Sequence, residues 1–269
     1  MPYRTWLGLG GAVVFILLSL TAAEAKIVTQ TVEYRQGDTV LRGFLAYDDT
    51  LKGQRPGVLV VHEWWGLNDF ARERALKLAS LGYVALAADM YGGGATTRDR
   101  EEAGKLAGAL VGNPDRLRAR AQAALEVLAT DPRVDPKRLA AIGFCFGGTT
   151  VLELAYSGAD LAGVVSFHGG LPKASPDDLK RMKAAVLVLH GADDPHVSPA
   201  DLSAFEQALG QAGADWQMVF FGGAVHSFTN PASGDNPASG VAYNPRAARR
   251  SWRHMQEFFR DIWRVKGRD

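Results

Sequence analysis

The chain has 269 residues and a formal net charge of +1, with 47% hydrophobic and 22% charged residues. This composition is typical of a folded, enzyme-like protein and excludes a disordered chain. The near-neutral charge argues against a generic binder of nucleic acids or acidic membranes. No Pro-, Gly- or Ser-rich linker divides the chain, which predicts a single domain over residues 26–269.

The N-terminal segment has the features of a secretory signal peptide. Arg4 supplies a positive charge, residues 6–20 are almost entirely apolar, and Ala23-Glu24-Ala25 gives a small-x-small cleavage site before Lys26. We expect residues 1–25 to be removed and the mature protein to be periplasmic or secreted, without stable membrane association. An uncleaved N-terminal anchor is the alternative, because the apolar stretch approaches the shortest length that spans a bilayer.

Strand and helix patterns alternate along the rest of the chain. The turn signal Gln36-Gly37-Asp38 predicts a β-hairpin, and Asp131-Pro132 and Asp135-Pro136 predict turns. Apolar runs and segments with helical spacing predict the other elements. The strands are expected at residues 31–34, 40–47, 58–61, 83–88, 139–142, 161–167, 184–189 and 216–221, and the helices at 69–81, 98–110, 115–128, 149–156, 199–212 and from 244 onwards. This alternation predicts an α/β fold with a mostly parallel central sheet and helices on both faces.

Four polar loops follow predicted strands, and they contain Glu63, Cys145, Asp194 and His226. In a parallel sheet, functional loops lie at the carboxyl ends of the strands. We therefore expect these four side chains to gather at one edge of the sheet.

The sequence Gly143-Phe-Cys145-Phe-Gly147 follows a predicted strand and precedes a predicted helix. It matches the Gly-x-nucleophile-x-Gly pattern of a nucleophile elbow, in which a tight turn excludes Cβ atoms on either side of the apex. Cys145 is the only cysteine, so it cannot form an intramolecular disulfide. An inert buried thiol is the common alternative, but the position between two glycines favours a reactive one.

A thiol nucleophile needs a base, and the base needs an acid that orients it. Cys145, Asp194 and His226 follow the chain order of nucleophile, acid and histidine found in α/β-hydrolases. Asp194 is favoured over Asp193 because the Asp-x-x-Val pattern puts it at the loop tip. The remaining histidines are expected to have structural or supporting roles or to lie away from the base position, namely His62, His168, His190, His196 and His254.

Four motifs together resemble the dienelactone hydrolase family. They are Gly-Phe-Cys145-Phe-Gly-Gly, His-Glu63-Trp-Trp-Gly, Asp194-Pro-His-Val and Val-His226-Ser-Phe. The similarity extends from about Thr31 to the C-terminal helix. It implies an α/β-hydrolase fold, no metal or organic cofactor, and hydrolysis of a small-molecule ester or lactone through an acyl-thiol intermediate. A thioesterase or acyl-peptide hydrolase with the same triad, and a non-catalytic binding protein on this scaffold, are the alternatives.

The resemblance also implies roles for residues around the thiol. The glutamate matching Glu63 contacts the cysteine in the resting enzyme and controls formation of the thiolate; a plain hydrogen bond to its own loop is the alternative for Glu63. The backbone N–H groups of Trp64 and Phe146 would form the oxyanion hole.

The sequence departs from the family where arginines hold an anionic substrate. Gly93 and Asn230 occupy those two positions. Losing such charge-assisted anchors disfavours an anionic substrate by about 1.5–3 kcal/mol each. Trp64 and Trp65 favour an apolar or aromatic group instead, and Trp65, Tyr91 and Asn230 are the candidate pocket residues.

Two further patterns stand outside the predicted site. The pentapeptide Asn-Pro-Ala-Ser-Gly occurs at residues 230–234 and again at 236–240, which predicts a long surface loop beside His226, either shaping the entrance or merely solvated. The C-terminal helix has an apolar stripe and a basic face, which predicts packing on the sheet; a partner or membrane-surface role is the alternative. Nothing in the sequence indicates the oligomeric state.

Overall fold

The computed structural model describes Met1 and residues 26–263. The predicted signal peptide, apart from Met1, lies outside the described residues. The strands are β1 (Ile27–Gln36), β2 (Thr39–Asp48), β3 (Arg55–Val61), β4 (Val84–Ala88), β5 (Val134–Phe144), β6 (Gly163–Phe167), β7 (Ala185–Gly191) and β8 (Trp216–Phe221). The α-helices are α1 (Asp69–Ser80), α2 (Arg100–Val111), α3 (Pro114–Ala129), α4 (Phe146–Tyr156), α5 (Pro176–Arg181), α6 (Pro199–Gln211) and α7 (Pro245–Ile262).

The strands form one eight-stranded sheet in the order β1-β2-β4-β3-β5-β6-β7-β8. The β1–β2 hairpin joins antiparallel to β4, and all strands from β4 to β8 in this order run parallel. The strands β4, β6 and β7 are buried along their whole length, as expected for parallel strands covered on both faces. This confirms the predicted α/β class.

Each face of the sheet packs against its own layer of helices. Along β5, Ala141 belongs to one apolar cluster and Ile142 to the other, because neighbouring strand residues point to opposite faces. Helices α2, α3, α4 and α6 contribute to the first cluster, and α1 and α7 to the second. The site loops emerge between these two layers.

The C-terminal helix packs as its apolar stripe predicts. Met255, Phe258 and Phe259 of α7 are buried in the second cluster, whereas Arg249 and Arg253 are exposed. No helix within residues 26–263 is both long enough and apolar enough to cross a membrane.

Two local predictions need correction, and one short helix has no counterpart among the predicted elements. The hairpin strands are longer than the alternating residues indicate, because the main-chain pairing continues from Ile27 to Asp48. Asp135-Pro136 lies inside β5, where a shift in register against β3 accommodates the proline. Helix α5 was not predicted; it is only 6 residues long and begins with a capping box at Ser175 and Asp178.

Candidate active site

The nucleophile elbow is a tight strand-to-helix turn between β5 and α4. Its apex, Cys145, has a φ of 54° and a half-buried side chain. A Cβ atom on Gly143 would lie 1.9 Å from the carbonyl oxygen of Gly147, and one on Gly147 would lie 2.2 Å from that of Val61. Both contacts are sterically forbidden, so the turn requires glycine at both positions.

The thiol of Cys145 lies within hydrogen-bond distance of the His226 imidazole. Their Sγ and Nε2 atoms are 3.1 Å apart, and the other ring nitrogen of His226, Nδ1, is 2.9 Å from Oδ2 of Asp194. Burial alone would lower the pKa of His226. The hydrogen bonds to Asp194 and Cys145, together with their negative charges, outweigh burial and raise that pKa to about 10. A base with a raised pKa takes a proton from the thiol more readily.

The carboxylate that binds His226 is Asp194 rather than its neighbour Asp193. Asp194 is buried and also accepts a 2.9 Å hydrogen bond from the backbone N–H of His196, whereas Asp193 is exposed. Burial opposes ionisation of Asp194, but the hydrogen bond and charge of His226 exceed it and lower the pKa of Asp194. The carboxylate is therefore available to orient His226 and to stabilise its protonated form.

The backbone of His226 is fixed by the loop that contains the duplicated pentapeptide. Its N–H donates to the carbonyl of Gly240 at 3.2 Å, and its carbonyl accepts from the N–H of Ala242 at 3.1 Å. Both copies form short 3-10 turns, Pro231–Ser233 and Pro237–Ser239. The loop thus returns to His226 and holds it in place.

Glu63 is buried beside the triad, but no hydrogen bond joins it to Cys145. Its two carboxylate oxygens accept 2.5 Å hydrogen bonds, one from the hydroxyl of Ser227 and one from the amide of Asn230. Burial raises the pKa of Glu63 in spite of both bonds. Arg74 acts on Glu63 through its charge, without a hydrogen bond. Control of the thiolate by Glu63 stays a prediction.

The N–H groups of Trp64 and Phe146 have no hydrogen-bond partner among the described residues. Trp64 follows β3, and Phe146 is the first residue of α4. The N-terminus of a helix presents unpaired N–H groups and a partial positive charge, both of which favour an oxyanion. The predicted oxyanion hole is therefore compatible with the geometry.

The candidate pocket residues have different environments. The Tyr91 hydroxyl donates to the carbonyl of Trp64 at 2.8 Å, and the half-buried rings of Trp64 and Trp65 pack edge to face at 4.8 Å. Asn230 is buried, and both functional atoms of its amide are engaged, with Glu63 and with the N–H of Ala232. A direct contact between Asn230 and a substrate stays a prediction.

The supporting role expected for His168 is confirmed by its hydrogen bonds, whereas sequence reasoning missed Ser227 and Thr229 and the contact of His196 with His226. Ser227 binds Glu63, and Thr229 binds the buried ring of His168, which also accepts the N–H of Cys145. His196 packs its exposed ring edge to face on His226 at a centroid distance of 4.9 Å. Ser227 lies in a recognised motif and His168 at a strand end, but no sequence pattern indicates these contacts.

The sheet is mostly parallel and carries a nucleophile elbow, and an acid and a histidine lie in the loops that follow. This arrangement defines an enzyme of the α/β-hydrolase class. The family model of the dienelactone hydrolase family matches residues 41–263. The chain belongs to the dienelactone hydrolase family and is a hydrolase.

Solved structures and a curated relative agree with this assignment. The chain is similar to m3DLH, with 45% identity, a TM-score of 0.85, and coverage of 88% of this chain and 98% of that one. It is also similar to a dienelactone hydrolase-like promiscuous phosphotriesterase from metagenomic libraries, with 43% identity, a TM-score of 0.85, and coverage of 89% and 99%. A carboxymethylenebutenolidase-like protein of Aquifex aeolicus is 29% identical over 238 residues, which are 86% of this chain and 97% of that protein.

Proposed function

We propose that the protein hydrolyses neutral carboxylic esters or lactones through a Cys145-His226-Asp194 triad and an acyl-thiol intermediate. The observation that carries this proposal is the continuous hydrogen-bonded chain from Sγ of Cys145 through both ring nitrogens of His226 to Asp194. A small-molecule ester is also the substrate class that the family implies.

The first half of the reaction forms the acyl-thiol. The thiol proton passes to Nε2 of His226, and Sγ of Cys145 attacks the carbonyl carbon. The resulting oxyanion is positioned to accept hydrogen bonds from the N–H groups of Trp64 and Phe146. His226 then gives its proton to the leaving alkoxide oxygen as the C–O bond breaks. With a lactone, the alcohol formed stays attached to the acyl group.

The second half releases the acid. His226 removes a proton from a water molecule, which attacks the acyl carbon, and the tetrahedral intermediate expels the thiolate of Cys145. The protonated His226 returns a proton to the thiolate and restores the resting pair. Throughout, Asp194 holds the imidazole orientation and stabilises its charge.

The preference for a neutral substrate is supported by the side chains around the triad. The hydrogen-bonding partners of Cys145, His226, Asp194 and Glu63 among the described residues include no lysine or arginine side chain. Asn230, which stands where the family has a cation, is bonded to the Glu63 carboxylate. An anionic substrate would therefore find no lysine or arginine bonded to these four described side chains and would meet the buried carboxylate of Glu63.

A second candidate activity is the hydrolysis of neutral phosphotriesters. The lack of a cation bonded to the triad suits a substrate without charge, and a relative with 43% identity is described as a promiscuous phosphotriesterase. In such a reaction Sγ of Cys145 would attack phosphorus, and His226 would protonate the leaving aryl or alkyl oxide.

The decisive experiment measures turnover of neutral p-nitrophenyl esters, thioesters, an enol-lactone and a neutral p-nitrophenyl phosphotriester. Cys145→Ala and His226→Ala are expected to lose ester turnover by about 10³-fold or more, with mass spectrometry detecting an acyl group on Cys145 in the wild type. Unchanged turnover in Cys145→Ala would rule out the thiol mechanism. Faster turnover of thioesters than of oxygen esters would identify a thioesterase.

We also propose that the mature protein is exported, on the basis of the N-terminal sequence alone. Mass spectrometry of the protein recovered from the periplasm or medium of an expressing bacterium should find a chain that starts at Lys26. An intact N-terminus in the membrane fraction would indicate an anchor instead.

A further inference from the structure

His168 occupies a strained position next to the proposed nucleophile. It follows β6, its side chain is fully buried, and its φ is 42°. The other non-glycine residues with positive φ in the described part of the chain are Cys145 and Ser227, which also belong to this site. Such conformations persist only where the surroundings hold them, and they concentrate at functional sites.

The His168 ring connects two loops that are distant in sequence. Its Nδ1 accepts the backbone N–H of Cys145 at 3.2 Å, a donor that is shared with the carbonyl of Phe167 at 3.0 Å. An accepting Nδ1 carries no hydrogen, so in the neutral ring the hydrogen lies on Nε2. Nε2 therefore donates to the hydroxyl of Thr229, 2.7 Å away, and Thr229 lies three residues after His226.

Burial keeps this ring neutral. It lowers the pKa of His168 well below the ordinary value, and the nearby charge of His226 lowers it further. The His168 ring also packs edge to face against His226, with 5.4 Å between ring centroids. Several titratable groups interact with this pair of rings through their charge, a hydrogen bond or a ring contact. They are Asp194, Cys145, Glu63, His190 and His196.

We propose that His168 is a positioning residue for the Cys145–His226 pair, an inference that rests on the proposed roles of those two residues. One ring nitrogen holds the backbone of the nucleophile, and the other holds the loop that carries the base. Cys145 and His226 lie 81 residues apart in the chain. The His168–Thr229 hydrogen bond fixes their two loops relative to each other.

The test uses the fact that Cys145 is the only cysteine. Its alkylation by iodoacetamide, followed by mass spectrometry across a pH series, reports formation of the thiolate without requiring turnover.

Thr229→Val removes the hydroxyl that accepts the hydrogen bond from His168 and preserves the shape of the side chain. We expect alkylation at neutral pH to slow by about 3- to 10-fold, the range set by one lost hydrogen bond, and the midpoint of the pH profile to rise. For a neutral ester, kcat should fall similarly while KM stays unchanged.

Two variants serve as comparisons. Thr229→Ser keeps the hydroxyl and should restore the wild-type pH profile. Thr150→Val removes another buried threonine hydroxyl, one that donates only to a carbonyl within α4, and should leave the profile unchanged. His168→Phe should shift the profile further than Thr229→Val, provided that its melting temperature shows a folded protein.

A wild-type alkylation profile in folded Thr229→Val would overturn the role of His168, and so would an equal shift in Thr150→Val. Failure of the proposed function gives a different result. In that case His226→Ala would leave both the alkylation profile and ester turnover unchanged.

Discussion

Asp194 and Asp193 are adjacent carboxylates in contrasting environments. Asp194 is buried against His226, whereas Asp193 is exposed. We expect Asp194→Asn to lower kcat for a neutral p-nitrophenyl ester by about 10²- to 10⁴-fold, because an amide can present its own N–H to His226 and select the wrong tautomer. Asp193→Asn is the matched control and should keep the wild-type kcat.

The pH dependence of kcat/KM distinguishes this effect from a general loss of structure. The hydrogen bond and charge of Asp194 contribute to raising the pKa of His226 to about 10. The wild type should therefore lose activity on the alkaline side near that pH, because His226 then no longer carries the proton that it gives to the leaving alkoxide. In Asp194→Asn this limb should move to lower pH. An unmoved limb would contradict the assignment of Asp194.

Glu63 is expected to lower the stability of the protein at neutral pH. Burial raises its pKa above the ordinary value of 4.5, so the unfolded chain ionises first and stability is lost as the pH rises above that value. Glu63→Gln removes this loss. Its melting temperature should exceed that of the wild type at neutral pH, and the difference should shrink towards pH 4.5.

Glu73 offers a control with the opposite sign. Burial opposes its ionisation, but the hydrogen bonds and charges of Lys77 and Arg74 outweigh burial and lower the pKa of Glu73. The ionised form therefore stabilises the fold, an effect that is lost as the pH falls below the ordinary value. Glu73→Gln should melt below the wild type at neutral pH and converge with it in acid. Circular dichroism across the pH series measures both variants.

The loop between β8 and α7 contains two copies of one pentapeptide, and the two copies have different roles. Asn230 and Asn236 each cap a 3-10 turn, accepting the N–H of Ala232 at 2.9 Å and that of Ala238 at 3.1 Å. Asn230 is buried and also binds Glu63, whereas Asn236 is exposed. The first copy supports the site, and the second closes the loop near His226.

This difference predicts unequal costs for the same substitution in the two copies. Asn236→Ala loses a cap, which is worth about 0.5–2 kcal/mol. Asn230→Ala loses a cap and also leaves one oxygen of the buried Glu63 without its donor, which adds about 1–3 kcal/mol. Urea unfolding of both variants measures the difference. Equal free energies of unfolding would show that the Asn230–Glu63 bond does not contribute to stability.

The central strands could be predicted because a strand that is buried on both faces of the sheet appears in the sequence as a continuous apolar run. Continuous apolar runs such as 58–61 and 184–189 indicated the central strands, and the order of Cys145, Asp194 and His226 at strand ends indicated the site. β1 begins at Ile27 and β5 at Val134, but Thr-Gln-Thr at 29–31 and Asp-Pro-Lys-Arg at 135–138 separate these starts from the apolar residues that follow. Hydrophobic periodicity therefore did not locate them.

The supporting contacts could not be predicted for a different reason. Ser227 reaches Glu63 across 164 residues of chain, and His168 reaches Thr229 across 61. Their side chains meet because loops from separate strands converge at one edge of the sheet. No local spacing in the sequence encodes that convergence, even where the strands themselves are correctly placed.

The overall charge of the molecule makes the origin of substrate preference testable. A net charge of +1 produces little long-range field, so any preference between neutral and anionic substrates should come from groups at the site. We expect kcat/KM for a neutral p-nitrophenyl ester to exceed that for the matching ester with a free carboxylate by about 10-fold or more, because no lysine or arginine among the described residues is hydrogen-bonded to the proposed triad or to Glu63. Buried groups are screened far less than surface charges, so this ratio should hold between about 0.02 and about 0.5 M NaCl. A ratio that collapses in salt would assign the preference to the surface field, and a preference for the anionic ester would contradict the proposed neutral substrate.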